Sequence, residues 1–349
     1  MSKKAETVYV GMSGGVDSSV TAALLKEQGY NVVGVYMKNW SQDLPGFTCP
    51  WKEDYQDAKR VAVQLGIDFK MYDFETEYRQ KVVDYMVAGY QSGITPNPDI
   101  MCNQEVKFKL FLETALQDGA DSIATGHYAR SVDGQLMTGV DTNKDQSYFL
   151  YRITRDALRH SHMPIGELEK PAVRELARKY GLVTAEKKDS QGICFVGKVG
   201  IKDFLLAELG PQPHGAIIEQ NGAVIGEHDG ALFYTIGQRH GLDIGGGLPY
   251  YVVGKDMLRN EVYVTTDLND DRLWKRQLKL TQLHWIGDEP VSSRLKVRTR
   301  YRTPLVECEI TISGTTAQLT LTDDIRAITA GQSAVLYDGD RCLGGGIVV

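Results

Sequence analysis

Thr7-Val8-Tyr9-Val10-Gly11-Met12-Ser13-Gly14-Gly15-Val16-Asp17-Ser18-Ser19 is the stretch on which the fold turns. Thr7–Gly11 is a short apolar strand candidate that enters a glycine and hydroxyl loop. Behind it, over 18–28, Val20, Ala23 and Leu24 recur at helical spacing and Gly29 supplies a stop. Consecutive glycines let main-chain N–H groups converge on an anion, and a helix start adds favourable partial charge. Ser13, Ser18 and Ser19 add hydroxyl donors, yet the lysine of a GxxxxGK[ST] loop is missing. Asp17 is an odd neighbour for phosphate unless Mg²⁺ lies between them, or the carboxylate caps the helix.

Outward from the loop, β-rich runs at 31–37, 67–72 and 122–125 alternate with helical patterns at 54–65, 75–89 and 105–116. That alternation predicts an α/β domain with a parallel sheet covered on both faces, its ligands at the carboxyl ends of the strands. A last helix is expected over 201–209. Beyond it come short β-like runs between glycines, with hairpin signals at Asn221-Gly222 and Asp229-Gly230. The chain of 349 residues is thus expected to divide into a catalytic domain over 1–200, a central β-rich domain over 201–272 and a β-barrel-like domain over 273–349.

Composition narrows the setting. No run of 18 or more apolar residues occurs, which excludes a spanning helix, and the first residues lack the apolar run of a secretory signal. A cytoplasmic, non-membrane protein is expected. The five cysteines, Cys49, Cys102, Cys194, Cys308 and Cys342, form no C-x-x-C pair, so no metal site is expected. Cys49, Cys308 and Cys342 read as structural. The net charge of −6 hides nine cations against two acids between Arg272 and Pro304.

Two cysteines have distinctive neighbours. Pro96 and Pro98 bar a regular helix across 95–99, which places Cys102 at or just before the next helix N-terminus, where a thiol pKa falls. Lys107 and Lys109 are close in sequence, and Asp99 is a carboxylate placed for acid/base work; alternatively Asp99 caps the helix and Cys102 packs inside. Cys194 lies in Asp189-Ser190-Gln191-Gly192-Ile193-Cys194-Phe195, a loop preceded by Lys187 and Lys188, or else a buried edge strand.

Ser13-Gly14-Gly15-Val16-Asp17-Ser18 resembles the PP-loop of the adenine nucleotide α-hydrolase-like ATP pyrophosphatases. Such enzymes split ATP between the α and β phosphates, so the loop holds departing pyrophosphate, which accounts for the missing lysine. Asn97-Pro98-Asp99, Cys102-Asn103, Lys107-Phe108, Gly126-His127-Tyr128, Lys144-Asp145-Gln146-Ser147-Tyr148-Phe149 and Asp189-Ser190-Gln191 with Cys194-Phe195 look like segments of the tRNA-specific 2-thiouridylases. Tyr234-Thr235 with the Gly-Gln-Arg that follows extends the likeness over nearly the whole chain.

The resemblance implies ATP as co-substrate with Mg²⁺, held by Gly11, Met12, Ser13, Gly14, Gly15, Val16, Asp17 and Ser18, with Met37 at adenine and Gly126 against the nucleotide. It implies Cys102 as nucleophile, Cys194 as persulfide carrier and Asp99 in acid/base work, although some relatives carry cysteine at that last position. The implied reaction is 2-thiolation of the wobble uridine through an adenylated base, leaving a Cys102–Cys194 disulfide that a reductant must open. Implied partners are tRNA (Lys, Glu and Gln acceptors) and a sulfur-carrier protein or cysteine desulfurase. Asn97, Pro98 and Asp99 are implied at the target base, with His127, Lys144, Asp145, Gln146, Tyr301, Arg302 and Gln332 near the tRNA.

The residues themselves add one expectation. In Arg294-Leu295-Lys296-Val297-Arg298-Thr299-Arg300-Tyr301-Arg302 a strand of ~3.3 Å per residue puts five cations on one face over about 26 Å. The rival readings are a PP-loop ligase acting on a small carboxylate, a nucleotide-binding regulator, and an RNA-binding accessory protein.

Overall fold

The computed structural model describes residues 5–188, 199–245 and 247–349. Its first sheet has five parallel strands: β1 (Thr7–Gly11), β2 (Asn31–Lys38), β3 (Asp68–Asp73), β4 (Ser122–Ala124) and β7 (Ser161–His162), in the order β3-β2-β1-β4-β7. Strand order reverses between β1 and β4, where open α/β sheets bind ligands at their carboxyl edge. Alternation along the strands feeds two cores. Val8, Val10, Val32 and Tyr36 pack with helix α1 (Val16–Glu27), the Trp51–Leu65 helix and the Lys170–Lys179 helix. Tyr9, Val33, Val35 and Met37 pack on the opposite face with helices over 75–91 and 98–117.

Those last two helices are longer than their patterns suggest, and each contains a π-helical stretch, Arg79–Val83 and Cys102–Leu110. The second begins at Pro98 rather than after it. Proline at N1 lacks only an N–H that has no intrahelical acceptor anyway. Asn97 caps this helix by accepting the Asp99 and Ile100 N–H groups at 3.1 and 3.2 Å.

Helix Ile201–Leu209 forms where expected. The central sheet, β10-β11-β8-β9, comprises β8 (Gly215–Glu219), β9 (Val224–His228), β10 (Tyr251–Asp256) and β11 (Glu261–Thr265). Asn221-Gly222 joins β8 to β9, with Gly222 at φ +83. Asp229-Gly230 makes no hairpin: the Gly230 N–H bonds His228 Nδ1 at 3.0 Å, and a single 3₁₀ turn, Ala231–Phe233, follows.

The last six strands close into a barrel: β12 (Trp274–Trp285), β13 (Arg294–Arg298), β14 (Val306–Ser313), β15 (Thr316–Arg326), β16 (Ser333–Asp338) and β17 (Arg341–Val348). Closure comes from β12 pairing with β17, Leu280 opposite Val348, around a core that includes Leu295, Val297, Ile310 and Leu319. A hairpin from the first part of the chain, β5 (Ala129–Val132) and β6 (Gln135–Thr138), docks on β17. Leu136 is the register partner of Cys342 across this junction, and both are buried.

The expected nine-residue basic strand does not form. β13 ends at Arg298, a turn follows in which Thr303 Oγ1 donates to the Arg300 carbonyl at 2.8 Å, and Arg302 sits at φ +63. Only Arg294 and Lys296 remain on an exposed strand face. Arg298 turns inward, where its Nη1 donates to Asp145 Oδ2 at 2.9 Å. Cys49, Cys308 and Cys342 are buried, and burial pushes the Cys308 thiol up to about 11.

The Asp145 carboxylate is 3% exposed and also accepts the Gly139 and Ser147 N–H groups. Removing its cation strands a buried charge, a loss of about 3 kcal/mol or more. Arg298→Met is therefore expected to lower the denaturant midpoint by that equivalent. A midpoint equal to that of the unsubstituted protein contradicts the assignment.

Candidate active site

The glycine loop lies between β1 and α1, at the carboxyl edge of the sheet. Gly14 is in the left-handed region at φ +75, and a Cβ there would stand 2.3 Å from the Asp54 carbonyl oxygen. Gly15 is the N-cap of α1 and gives it no side-chain cap. The first intrahelical bond runs from the Ser19 N–H to the Gly15 carbonyl, so the amides of Val16, Asp17 and Ser18 precede it and suit an anion. Ser18 Oγ accepts the Ser13 N–H at 3.2 Å and lies 3.3 Å from Ser13 Oγ, which sets the curl of the loop. Met12 and Val16 are buried beneath it.

Asp17 is not the helix cap. Its carboxylate accepts Lys170 Nζ at 2.7 and 2.9 Å and the Tyr128 hydroxyl at 2.8 Å. Lys170 is only 9% exposed and stands at the first position of its helix. A lysine missing from the loop is thus present in space, delivered from 153 residues away. No periodicity signalled it, because a buried lysine reads in sequence as an ordinary helix-surface cation. Gly126, just past β4, faces the same turn: a Cβ there would lie 2.8 Å from the Ser18 nitrogen. Its lack of a side chain lets the edge of β4 close on α1.

Met37 is buried beside Gly11, its Cε 3.0 Å from the position of a Cβ at residue 11. Phe111 Cε1 closes the other side of Gly11 at 3.4 Å. Asp121 N–H bonds the Thr7 carbonyl at 2.9 Å, so the chain following the 98–117 helix reaches the amino edge of the sheet. That helix therefore starts at the carboxyl edge. Cys102 lies nine residues before Phe111 and so stands further toward that edge.

Cys102 is fully buried in the Met37 core. It is the fifth residue of its helix rather than the first, so the favourable field of the N-terminus, which fades within one turn, is weak there. Lys109 bonds Glu105 at 3.1 Å and is not a partner reserved for the thiol. The placement of Cys102 at or just before the helix N-terminus, expected from the prolines, is thus corrected to one turn inside it. Asp99 does not cap the helix; Asn97 does.

Cys194 and the segment around it lie outside the described residues. Lys187, expected as part of its cationic surroundings, instead bonds Asp54 and Asp57 at 2.8 and 2.7 Å. Asp54 is the residue whose backbone meets Gly14, so the chain at Lys187 is tied beside the glycine loop.

A pocket opens at the start of the 98–117 helix. Asn97, Pro98, Asp99, Tyr301 and Gln332 line it, which gathers five of the residues singled out from sequence. Tyr90, Tyr148 and Phe149 give it aromatic walls, and Val199, Gly200 and Ile201 border it. The Phe149 and Tyr301 rings are 4.7 Å apart at 49°. Tyr301 and Arg302 also reach the 143–144 turn: the Tyr301 hydroxyl donates to the Lys144 carbonyl at 3.4 Å, and Arg302 Nε to the Asn143 carbonyl at 2.9 Å.

Three further residues sit elsewhere. Asp145 is spent on Arg298, as described above. Gln146 Oε1 accepts the Tyr128 N–H at 2.9 Å. His127 is 7% exposed behind Phe108, its Nδ1 2.8 Å from Thr125 Oγ1. Burial, reinforced by the charge of Lys107, holds its pKa well below the usual imidazole value, so it is neutral at physiological pH.

For Mg²⁺, Asp17 offers one carboxylate at the loop, and among the described residues no group of three or more acidic, histidine or cysteine side chains could hold a metal.

Three family models tile the chain. A tRNA methyl transferase HUP domain matches residues 6–198, a tRNA methyl transferase PRC-barrel domain 202–266, and an aminomethyltransferase β-barrel domain 275–348. A tRNA-specific 2-thiouridylase MnmA of Streptococcus mutans is 47% identical over 98% of this chain and 94% of its own length. The protein of the same name from Listeria monocytogenes is also 47% identical, with the same coverage. The models are described by methyl transfer and these full-length relatives by thiolation. On full-length identity the chain belongs to the tRNA-specific 2-thiouridylase family.

Proposed function

We propose that this protein replaces the C2 oxygen of the wobble uridine of tRNA with sulfur, at the expense of ATP. The observation that carries the reading is a single helix. The Pro98–Gln117 helix lays Phe111 on Gly11 of the anion loop and buries Cys102 partway up; its cap and first turn, Asn97–Asp99, form the wall of an aromatic pocket. A phosphate cradle, a thiol and a base-sized aromatic site thus lie along one rigid element.

In this reading the loop over 11–18 holds the triphosphate, with Met37 at adenine and Gly126 beside the nucleotide. The uridine O2 attacks the α phosphorus, pyrophosphate departs, and the oxygen becomes part of an adenylate leaving group. Lys170 places a positive charge at the loop and offsets charge building on the departing pyrophosphate. Mg²⁺ accompanies ATP.

Sulfur arrives as a persulfide on Cys194, supplied by a sulfur-carrier protein or cysteine desulfurase. Attack on C2 expels AMP with the old oxygen. Cys102 thiolate either releases sulfide from the persulfide beforehand or resolves the intermediate afterwards. Both routes leave a Cys102–Cys194 disulfide, which takes two electrons from a cellular reductant. Asp99 handles the proton traffic. Of the described residues flanking the Cys194 segment, Val199–Ile201 border the pocket and Lys187 is tied beside Gly14, which supports this assignment.

The base leaves its stack to enter, which costs least for an unpaired loop base. The 143–144 turn with Tyr301 and Arg302 provides a surface for the tRNA, and Gln332 stands at the pocket. The acceptors are the Lys, Glu and Gln tRNAs, and the setting is the cytoplasm.

Replacing Lys170 with methionine is expected to slow tRNA-dependent pyrophosphate release about 100-fold, with Lys170→Arg restoring much of it; equal rates for all three proteins would remove Lys170 from the mechanism. Cys102→Ser and Cys194→Ser are each expected to keep ATP binding and abolish thiolation. Normal thiolation by the Cys194 variant with a protein sulfur carrier would sink the persulfide role.

A further inference from the structure

The failed basic strand leaves one cation in an informative place. Arg300 turns away from the surface and lines the aromatic pocket, where it is the one Arg or Lys among the described lining residues. Its Nη2 donates to the carbonyls of Ile236 at 3.4 Å and of Ala327, which fixes the plane of the guanidinium. Its Nε is buried without a hydrogen-bond partner, and among the described residues no carboxylate pairs with the group. Arg298, two residues earlier, has Asp145. Burial, with the nearby charge of Arg326, pulls the Arg300 pKa below the usual guanidinium value. The group is therefore a partly desolvated cation, held rigid, with no anion of its own.

We propose that Arg300 is the phosphate clamp of the target nucleotide: it takes the phosphodiester next to the uridine whose base enters between the pocket's aromatic walls. A nucleotide presents a flat base and an anion side by side, and the pocket offers aromatic rings and a fixed cation within one lining. With Nη2 on two carbonyls and Nε buried, Nη1 is the nitrogen left to meet a phosphate oxygen, and an anion there relieves the cost of keeping the charge from water. This proposal rests on the tRNA reading above. Arg300 acts on the RNA and not on ATP: it lines the pocket with Asn97–Asp99, whereas no residue of the glycine loop over 11–18 is among the lining residues.

The test uses the full-length protein and an anticodon stem-loop RNA in two forms, one natural and one with a neutral methylphosphonate flanking the target uridine. The unsubstituted protein is expected to bind the neutral form about 10-fold more weakly. Arg300→Gln is expected to bind both forms alike and to show a salt slope shallower by about 0.7. Arg300→Lys keeps the unsubstituted slope, and ATP affinity is unchanged in both variants.

Equal binding of the two RNAs by the unsubstituted protein overturns the clamp without recourse to any variant, so a misfolded Arg300→Gln does not blunt the test. An unchanged salt slope with a lowered melting temperature makes Arg300 only a strut between Ile236 and Ala327, and weakened ATP binding moves it to the triphosphate; either overturns the clamp. Failure of the unsubstituted protein to bind any tRNA overturns the broader reading as well. Binding that ignores the methylphosphonate overturns the clamp alone.

Discussion

The site depends on the absence of a side chain at position 11. Met37 stands 3.0 Å and Phe111 3.4 Å from where a Cβ would lie, so the 98–117 helix seats directly on the strand that feeds the anion loop. The remaining geometry follows from that contact by counting. Nine residues of helix separate Phe111 from Cys102, and four residues of β2 carry the sheet from Val35, the register partner of Gly11, to the residue just past its end. The thiol therefore lies on that helix between Phe111, which meets Gly11, and Asn97–Asp99, which line the pocket.

A second constraint acts on charge. The lysine usual in a phosphate loop is absent from 7–19, but Lys170 meets Asp17 with Tyr128 beside it. Before nucleotide binds, the two charges neutralise each other in a setting that disfavours either alone. The same economy appears at Arg298 and Asp145, where a strand cation and a loop carboxylate join the barrel to the sheet domain. Arg300 stands apart because nothing among the described residues plays that part for it.

Much of this was legible in the amino-acid sequence, for identifiable reasons. The loop, β1, β2 and the 201–209 helix are set by local signals, namely glycine spacing, apolar runs and helical periodicity, and they form at or near the expected residues. The 294–302 run misled because alternation describes a strand only while the backbone stays extended; Arg302 at φ +63 lies within a turn that the alternating pattern hides. Pro98 misled in the opposite sense, since proline at a first helical position starts a helix instead of barring it. The π-helical stretches, the docking of the 129–138 hairpin on β17, and the Lys170–Asp17 pair are tertiary facts with no local signature.

In the proposed reaction, ATP cleavage at the loop and sulfur delivery at the pocket act on one base. Nucleoside mass spectrometry of tRNA, after incubation with this protein, ATP and a persulfide donor, tests it most directly. The expected product is a wobble uridine in which one oxygen has become sulfur, formed only when ATP is present and matched by pyrophosphate release. Thiolation without ATP, or pyrophosphate release with no thiolated uridine, would contradict it.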